Sequence, residues 1–160
     1  MDKERRALAV EIFHKAYGLQ KQGELELAAA LYLRSIEIHP TAEAYTNLGW
    51  VYSLQNRWED AIAQCRAAIG IDPGYGNPYN DIGAYLIELG KPADAIEWLE
   101  KAAASRRYRT YHFPWYNLGR AYAAIELYSR AVECFQHALD IEPSYLPAED
   151  ALEKVKRIIQ

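Results

Sequence analysis

Apolar positions recur along this chain every three to four residues, in short runs broken by proline, glycine and charge. Between Ala42 and Gln55 they fall at Tyr45, Leu48, Gly49 and Tyr52, one stripe along a helix. Between Arg57 and Ile71 they fall at Trp58, Ala61, Ile62, Cys65, Ala68 and Ile69, a second stripe. Pro73 cannot continue that helix, and its ring biases Asp72 away from helical backbone, so a turn is expected there. The pattern therefore predicts a helix, a turn, a second helix and a stop.

The same unit returns. Glu37-Ile38-His39-Pro40, Gly70-Ile71-Asp72-Pro73 and Asp140-Ile141-Glu142-Pro143 are alike, with the prolines 33 and then 70 residues apart. Ala28, Ala61, Ala95 and Ala131 recur at 33, 34 and 36, and Ala16, Gly49, Gly83 and Gly119 keep the same intervals. Several tracks in one register mark a repeat array, in which no helix pair buries its apolar face alone and stacked pairs share a continuous core.

These residues resemble the tetratricopeptide repeat (TPR) family, whose unit reads W-x2-L-G-x2-Y, then Ala, an aromatic, Ala and Pro. The fourth unit supplies Trp115, Leu118, Gly119, Tyr122, Ala131, Phe135, Ala138 and Pro143. The second supplies Tyr45, Leu48, Gly49, Tyr52, Ala61, Cys65, Ala68 and Pro73, and the third departs at Arg107, where proline is expected. The first is the weakest, with Lys15 at a core position, as suits a terminal unit without an upstream neighbour. The resemblance implies an all-α superhelix of about nine antiparallel helices. Its repeats would span about 9–41, 42–75, 76–111 and 112–145, with a capping helix over 146–160, all in one domain.

Composition narrows the function. Of 160 residues, 51% are apolar and 25% charged, which excludes a disordered chain, and no apolar run is long enough to span a membrane. The charged start Met1-Asp2-Lys3-Glu4-Arg5-Arg6 does not read as a secretory signal. Two cysteines make no disulfide framework, and a cytoplasmic location is the simplest expectation. The net charge of −4 argues against wrapping nucleic acid. No phosphate loop, zinc motif or nucleophile elbow is present; His14, His39, His112 and His137 are scattered, and the carboxylates lie on solvent-facing stripes. The sequence thus predicts no enzyme, no cofactor and no metal.

In TPR proteins the first helix of each pair lines a concave groove. Carried over position by position, this implies partner-binding residues at Phe13, Tyr17, Thr46, Asn47, Trp50, Asn77, Asn80, Asp81, Phe113, Tyr116, Asn117 and Arg120. The expected function is a non-enzymatic adaptor that binds a peptide or helix of another protein there. The alternative is a self-associating scaffold, a homo-oligomer. The clamp by which TPR co-chaperones grip the carboxylate of heat-shock chaperones is not expected. Its positions hold Phe13, Tyr17, Asn47, Asn77 and Asp81 in one frame, and Thr46, Trp50, Asp81, Phe113 and Asn117 in the next. Only Asn47 matches, and Asp81 would repel a carboxylate. Finally, Ser105 to Pro114 carries two extra residues, with Arg106, Arg107 and Arg109 between tyrosines. It is either a second binding site or an inserted turn over which tyrosines pack.

Overall fold

The computed structural model describes all 160 residues as nine helices with no β-strand. They pack as two compact units, residues 1–73 and 74–160. The first unit holds α1 (Asp2–Lys21), α2 (Leu25–Ile38), α3 (Ala42–Leu54) and α4 (Trp58–Ile71). The second holds α5 (Asn77–Glu88), α6 (Pro92–Ala104), α7 (His112–Ala124), α8 (Tyr128–Ile141) and α9 (Leu146–Ile159). In the first unit α1 pairs with α2 and α3 with α4, while α2 also packs on α3. In the second α5 pairs with α6 and α7 with α8; α6 packs on α7, and α9 covers α8.

The repeat tracks become the packing. Ala28, Ala61, Ala95 and Ala131 are wholly buried. One residue per repeat is the large plug beside the small track: Tyr32, Cys65, Leu99 and Phe135, again 33, 34 and 36 apart and all buried. The residues before the three prolines, His39, Asp72 and Glu142, terminate α2, α4 and α8 in non-helical backbone. Thr41 caps α3 by accepting the Ala44 amide at 3.1 Å. Helix α1 begins at Asp2, about two turns ahead of the expected first repeat, and Lys15 is exposed beside Glu11 at 3.4 Å.

A further track joins the helices of each pair. Gly23, Asn56, Gly90 and Glu126 occupy the tight turn at φ between 60° and 81°. Glycine and asparagine tolerate that left-handed backbone, but for glutamate it costs on the order of 1 kcal/mol. Glu126→Gly is therefore expected to stabilise the chain by up to about 1 kcal/mol. A shift of the urea midpoint to higher concentration, at constant slope, checks it.

The junction between α6 and α7 is an ordered turn. Ser105 Oγ donates to the Gly74 carbonyl at 3.0 Å, and the Gly76 amide donates to the Arg107 carbonyl at 3.1 Å, which pairs the insertion with the segment before α5. Tyr108 is buried, its ring edge-on to Tyr111, whose hydroxyl donates to the Ser105 carbonyl. Arg106 and Arg109 reach solvent, while the Arg107 guanidinium lies 5.1 Å from the Tyr75 ring centre. The tyrosines pack over the inserted turn.

Candidate functional site

In the first unit the predicted site residues lie on α1 and α3, one turn apart along each helix. Tyr17 and Trp50 hold the same repeat position and remain 39% and 47% exposed. The Lys21 ammonium stands 4.9 Å from the Tyr17 ring centre. Phe13 is half-buried, edge-on to Tyr32 at 5.5 Å. It lines a recess of about 230 Å³ with Ala9, Val10, His14, Ser35, His39, Thr41 and Glu43.

The polar positions beside them make hydrogen bonds within the fold. Tyr32 is fully buried and donates to Gln20 Oε1 at 2.7 Å, and Asn47 Nδ2 donates to the Tyr32 hydroxyl at 3.4 Å. Burial pushes the Tyr32 phenol up to about 12, so it remains a donor at any physiological pH. Thr46 is buried and returns its hydroxyl to the Ala42 carbonyl at 2.7 Å. It offers no surface to a partner.

In the second unit the predicted residues form a connected chain between α5 and α7. Asn117 Nδ2 donates to Asn80 Oδ1 at 3.0 Å, and Asn80 Nδ2 donates to Asp81 Oδ1 at 3.4 Å. At the other end Arg120 Nη1 donates to Asn117 Oδ1 at 3.0 Å, and Arg120 Nη2 meets Glu88 Oε1 at 2.9 Å. Asn80 and Asn117 are buried by this arrangement and hold the two helices together. Asn77 and Asp81 on α5, with Phe113, Tyr116 and Arg120 on α7, keep partly accessible surface.

Two residues of this face were not legible from the repeat pattern. Tyr145, in the link between α8 and α9, packs edge-on against Phe113 at 5.6 Å, His112 at 4.9 Å and Tyr116 at 5.3 Å. It closes part of the α7 face with the chain's own ring. Tyr108, from the inserted junction, lies near enough to Asp81 that the carboxylate raises its phenol further, on top of burial. The signal for Tyr108 was the two-residue insertion itself, while nothing in the period marks Tyr145.

A larger cleft, about 570 Å³, opens elsewhere on the second unit. It lies between α6 and α8 over Trp115, Leu118 and Tyr122, a different stripe of α7 from Phe113, Tyr116 and Arg120, with Glu100, Arg130 and Glu133 at its sides. Cys134 borders it, but burial pushes that thiol up to about 11, so it carries no thiolate at neutral pH. No group of three or more His, Cys, Asp or Glu side chains converges as a metal site. No helix is long and apolar enough to cross a membrane.

Family models described as tetratricopeptide repeat match residues 13–76, 79–107 and 113–145. Over 101 residues, 62% of the chain, the sequence is 30% identical to small glutamine-rich tetratricopeptide repeat-containing protein 2 of Saccharomyces cerevisiae, and covers 29% of that protein. The chain spans less than a third of the length of the curated relatives it matches. Among solved structures, PilW, described as a widely conserved type IV pilus biogenesis factor, superposes with a TM-score of 0.88 at 21% identity. That match covers 94% of this chain and 70% of the other. The first TPR of Spaghetti (RPAP3), solved bound to the HSP90 peptide SRMEEVD, gives a TM-score of 0.70 at 22% identity, covering 74% of this chain and 93% of the other. At such identities the likeness is one of fold.

Proposed function

The chain belongs to the tetratricopeptide repeat family of protein-interaction modules, and from that premise we propose that it is a non-catalytic adaptor holding a peptide or helix of a partner protein on its inner helix faces. The observation that carries this reading is the pair Tyr17 and Trp50, large rings left in solvent at one repeat position on α1 and α3. Rings of that kind bury much area on binding at little entropic cost. Phe13 and Asn47 flank them in the first unit; the second unit presents its own face, with Asn77, Asp81, Phe113, Tyr116 and Arg120. Thr46, Asn80 and Asn117 act from beneath, by fixing helix spacing.

The peptide bound by the RPAP3 repeat ends in an acidic residue. This chain has Asp81 and aromatic rings where that mode of binding needs cations, so its partner differs in chemistry. A cytoplasmic location accords with the low cysteine count.

Tyr17→Ala/Trp50→Ala truncates two half-exposed rings, so its helicity should match wild type and its melting temperature should fall only modestly. The expected result is a partner captured from the lysate of the source cells by wild type and lost by at least about tenfold in the double variant. Equal capture by both would overturn the reading. A scaffold built from copies of this chain is the second reading, favoured by Leu8 and Val10 at 47% and 51% exposure and Ile158 and Ile159 at 60% and 54%. Light scattering decides it: a mass that stays monomeric as concentration rises removes the scaffold.

A further inference from the structure

The cleft of about 570 Å³ between α6 and α8 takes no part in the adaptor face. Its origin lies in the repeat. At the position of Cys134 the other units hold Leu31, Gln64 and Trp98, spaced by 33, 34 and 36. At that of Ala103 they hold Ile36, Ile69 and Leu139. In the third unit Trp98 lies over the Tyr79 ring, with centroids 6.2 Å apart. Trp115 is the fourth unit's counterpart of Tyr79, and it shares the cleft with Cys134, which has no ring to lay over it. Two small side chains stand where every other unit carries a larger one, and the cleft opens over them.

Floor and walls differ in character. Trp115, Leu118 and Tyr122 of α7 make an apolar floor, while Glu100 on α6 and Glu133 on α8 are exposed at the sides. Neither carboxylate is in an ion pair, although Glu88, Glu97 and Glu153 of the same unit each are. The cation at the cleft, Arg130, is turned to Tyr122, its guanidinium 5.6 Å from the ring centre and 3.5 Å from the hydroxyl. Two free carboxylates against one engaged guanidinium leave the walls acidic. A groove of this kind complements an amphipathic helix whose apolar stripe covers the floor while lysine or arginine at its edges reaches the walls.

We propose that this cleft is a second docking surface, which receives an amphipathic helix of a partner protein carrying lysine or arginine beside its apolar stripe. It uses none of the residues of the inner face and so goes beyond the adaptor reading. Apolar contact on the floor supplies most of the affinity, and the carboxylates select basic helices over acidic ones.

The test selects, on the full chain, a phage-displayed library of a small helical scaffold randomised along one face, and titrates the enriched helices in solution. They are expected to share lysine or arginine beside apolar positions. Ala103→Ile/Cys134→Trp fills the cleft with side chains that the chain itself carries at those repeat positions, in Ile69 and Trp98. With its helicity checked by circular dichroism, it should bind these helices about thirtyfold or more weakly. Glu100→Gln/Glu133→Gln alters exposed side chains only and cannot act through the core. It should weaken binding by about three- to tenfold at low salt, and by less as salt is raised. Tyr17→Ala/Trp50→Ala should bind the helices as wild type does. Selection that yields no helix sensitive to the filled cleft overturns the proposal, as do cleft-bound helices indifferent to both glutamates. Helices lost with Tyr17 and Trp50 instead belong to the inner face, which overturns it while the adaptor reading stands. A mass that grows with concentration in wild type but not in the filled variant would make a second copy the occupant, and the proposal would fall.

Discussion

Truncating Phe135 to alanine is expected to cost about 3–5 kcal/mol, and in that background Gly119→Ala should change from harmful to helpful. Phe135 is 1% exposed and packed among Leu118, Ala121, Leu152 and Val155, so its loss leaves a cavity that the neighbouring helices cannot collapse into. The same ring explains Gly119. A Cβ there would stand 2.4 Å from Phe135 Cε1 and 2.5 Å from Cδ1, and the enclosed ring has nowhere to swing. In the wild-type background Gly119→Ala should therefore cost about 1–3 kcal/mol, despite the roughly 1 kcal/mol by which alanine favours a helix. With Phe135 already alanine the clash is gone and only the helix preference remains, so the second substitution should recover about 1 kcal/mol. Gly18→Ala on α1 is the control, since nothing lies within 4 Å of its added carbon; it should stabilise in either background. Denaturant midpoints at constant slope read all of these variants. A Gly119→Ala effect of the same sign with and without the ring would refute the plug.

That coupling was partly visible in the sequence, and the reason is periodicity. Residues that recur at 33, 34 and 36 share a place in the packing, so Gly83 and Gly119 align with one another in the sequence, but that they face Leu99 and Phe135 is seen in the structure. Helix bounds followed for the same reason: stripes at Ala42–Gln55 and Arg57–Ile71 became Ala42–Leu54 and Trp58–Ile71. What one stripe does not reveal is which of its polar members turn inward. Thr46, Asn80 and Asn117 occupy face positions in the repeat, yet each is buried and hydrogen-bonded, Thr46 to its own helix and Asn80 and Asn117 to each other between α5 and α7. Tyr145 was hidden because it lies in a link between helices, where no period applies. The insertion at Ser105–Pro114 announced itself as an irregularity, but only the structure shows that its tyrosine approaches Asp81.

Asp81→Asn is expected to stabilise the folded chain, by an amount that grows with pH. The folded carboxyl titrates at about 7 because burial opposes its charge, with the Asn80 amide pulling weakly the other way, against an ordinary value of 3.8. Below about pH 4 both folded and unfolded chains hold the proton, so the residue costs nothing. As pH rises from 4 towards 7 the unfolded chain releases its proton and the folded chain keeps it, so stability is lost across that window. Above 7 both are ionised and the loss is complete. A displacement of about 3 pKa units corresponds to about 4 kcal/mol, and the surface Asp81 keeps in contact with solvent brings the expected gain at pH 8 to about 2–4 kcal/mol. Asparagine has no such titration, so the difference between variant and wild type should climb from near zero at pH 4 to a plateau above 7. Tyr108, the ionisable group beside Asp81, is held far above this range by burial and leaves the window clean. Urea titrations at intervals from pH 4 to 8 measure the difference directly, and parallel curves for the two chains would sink the argument.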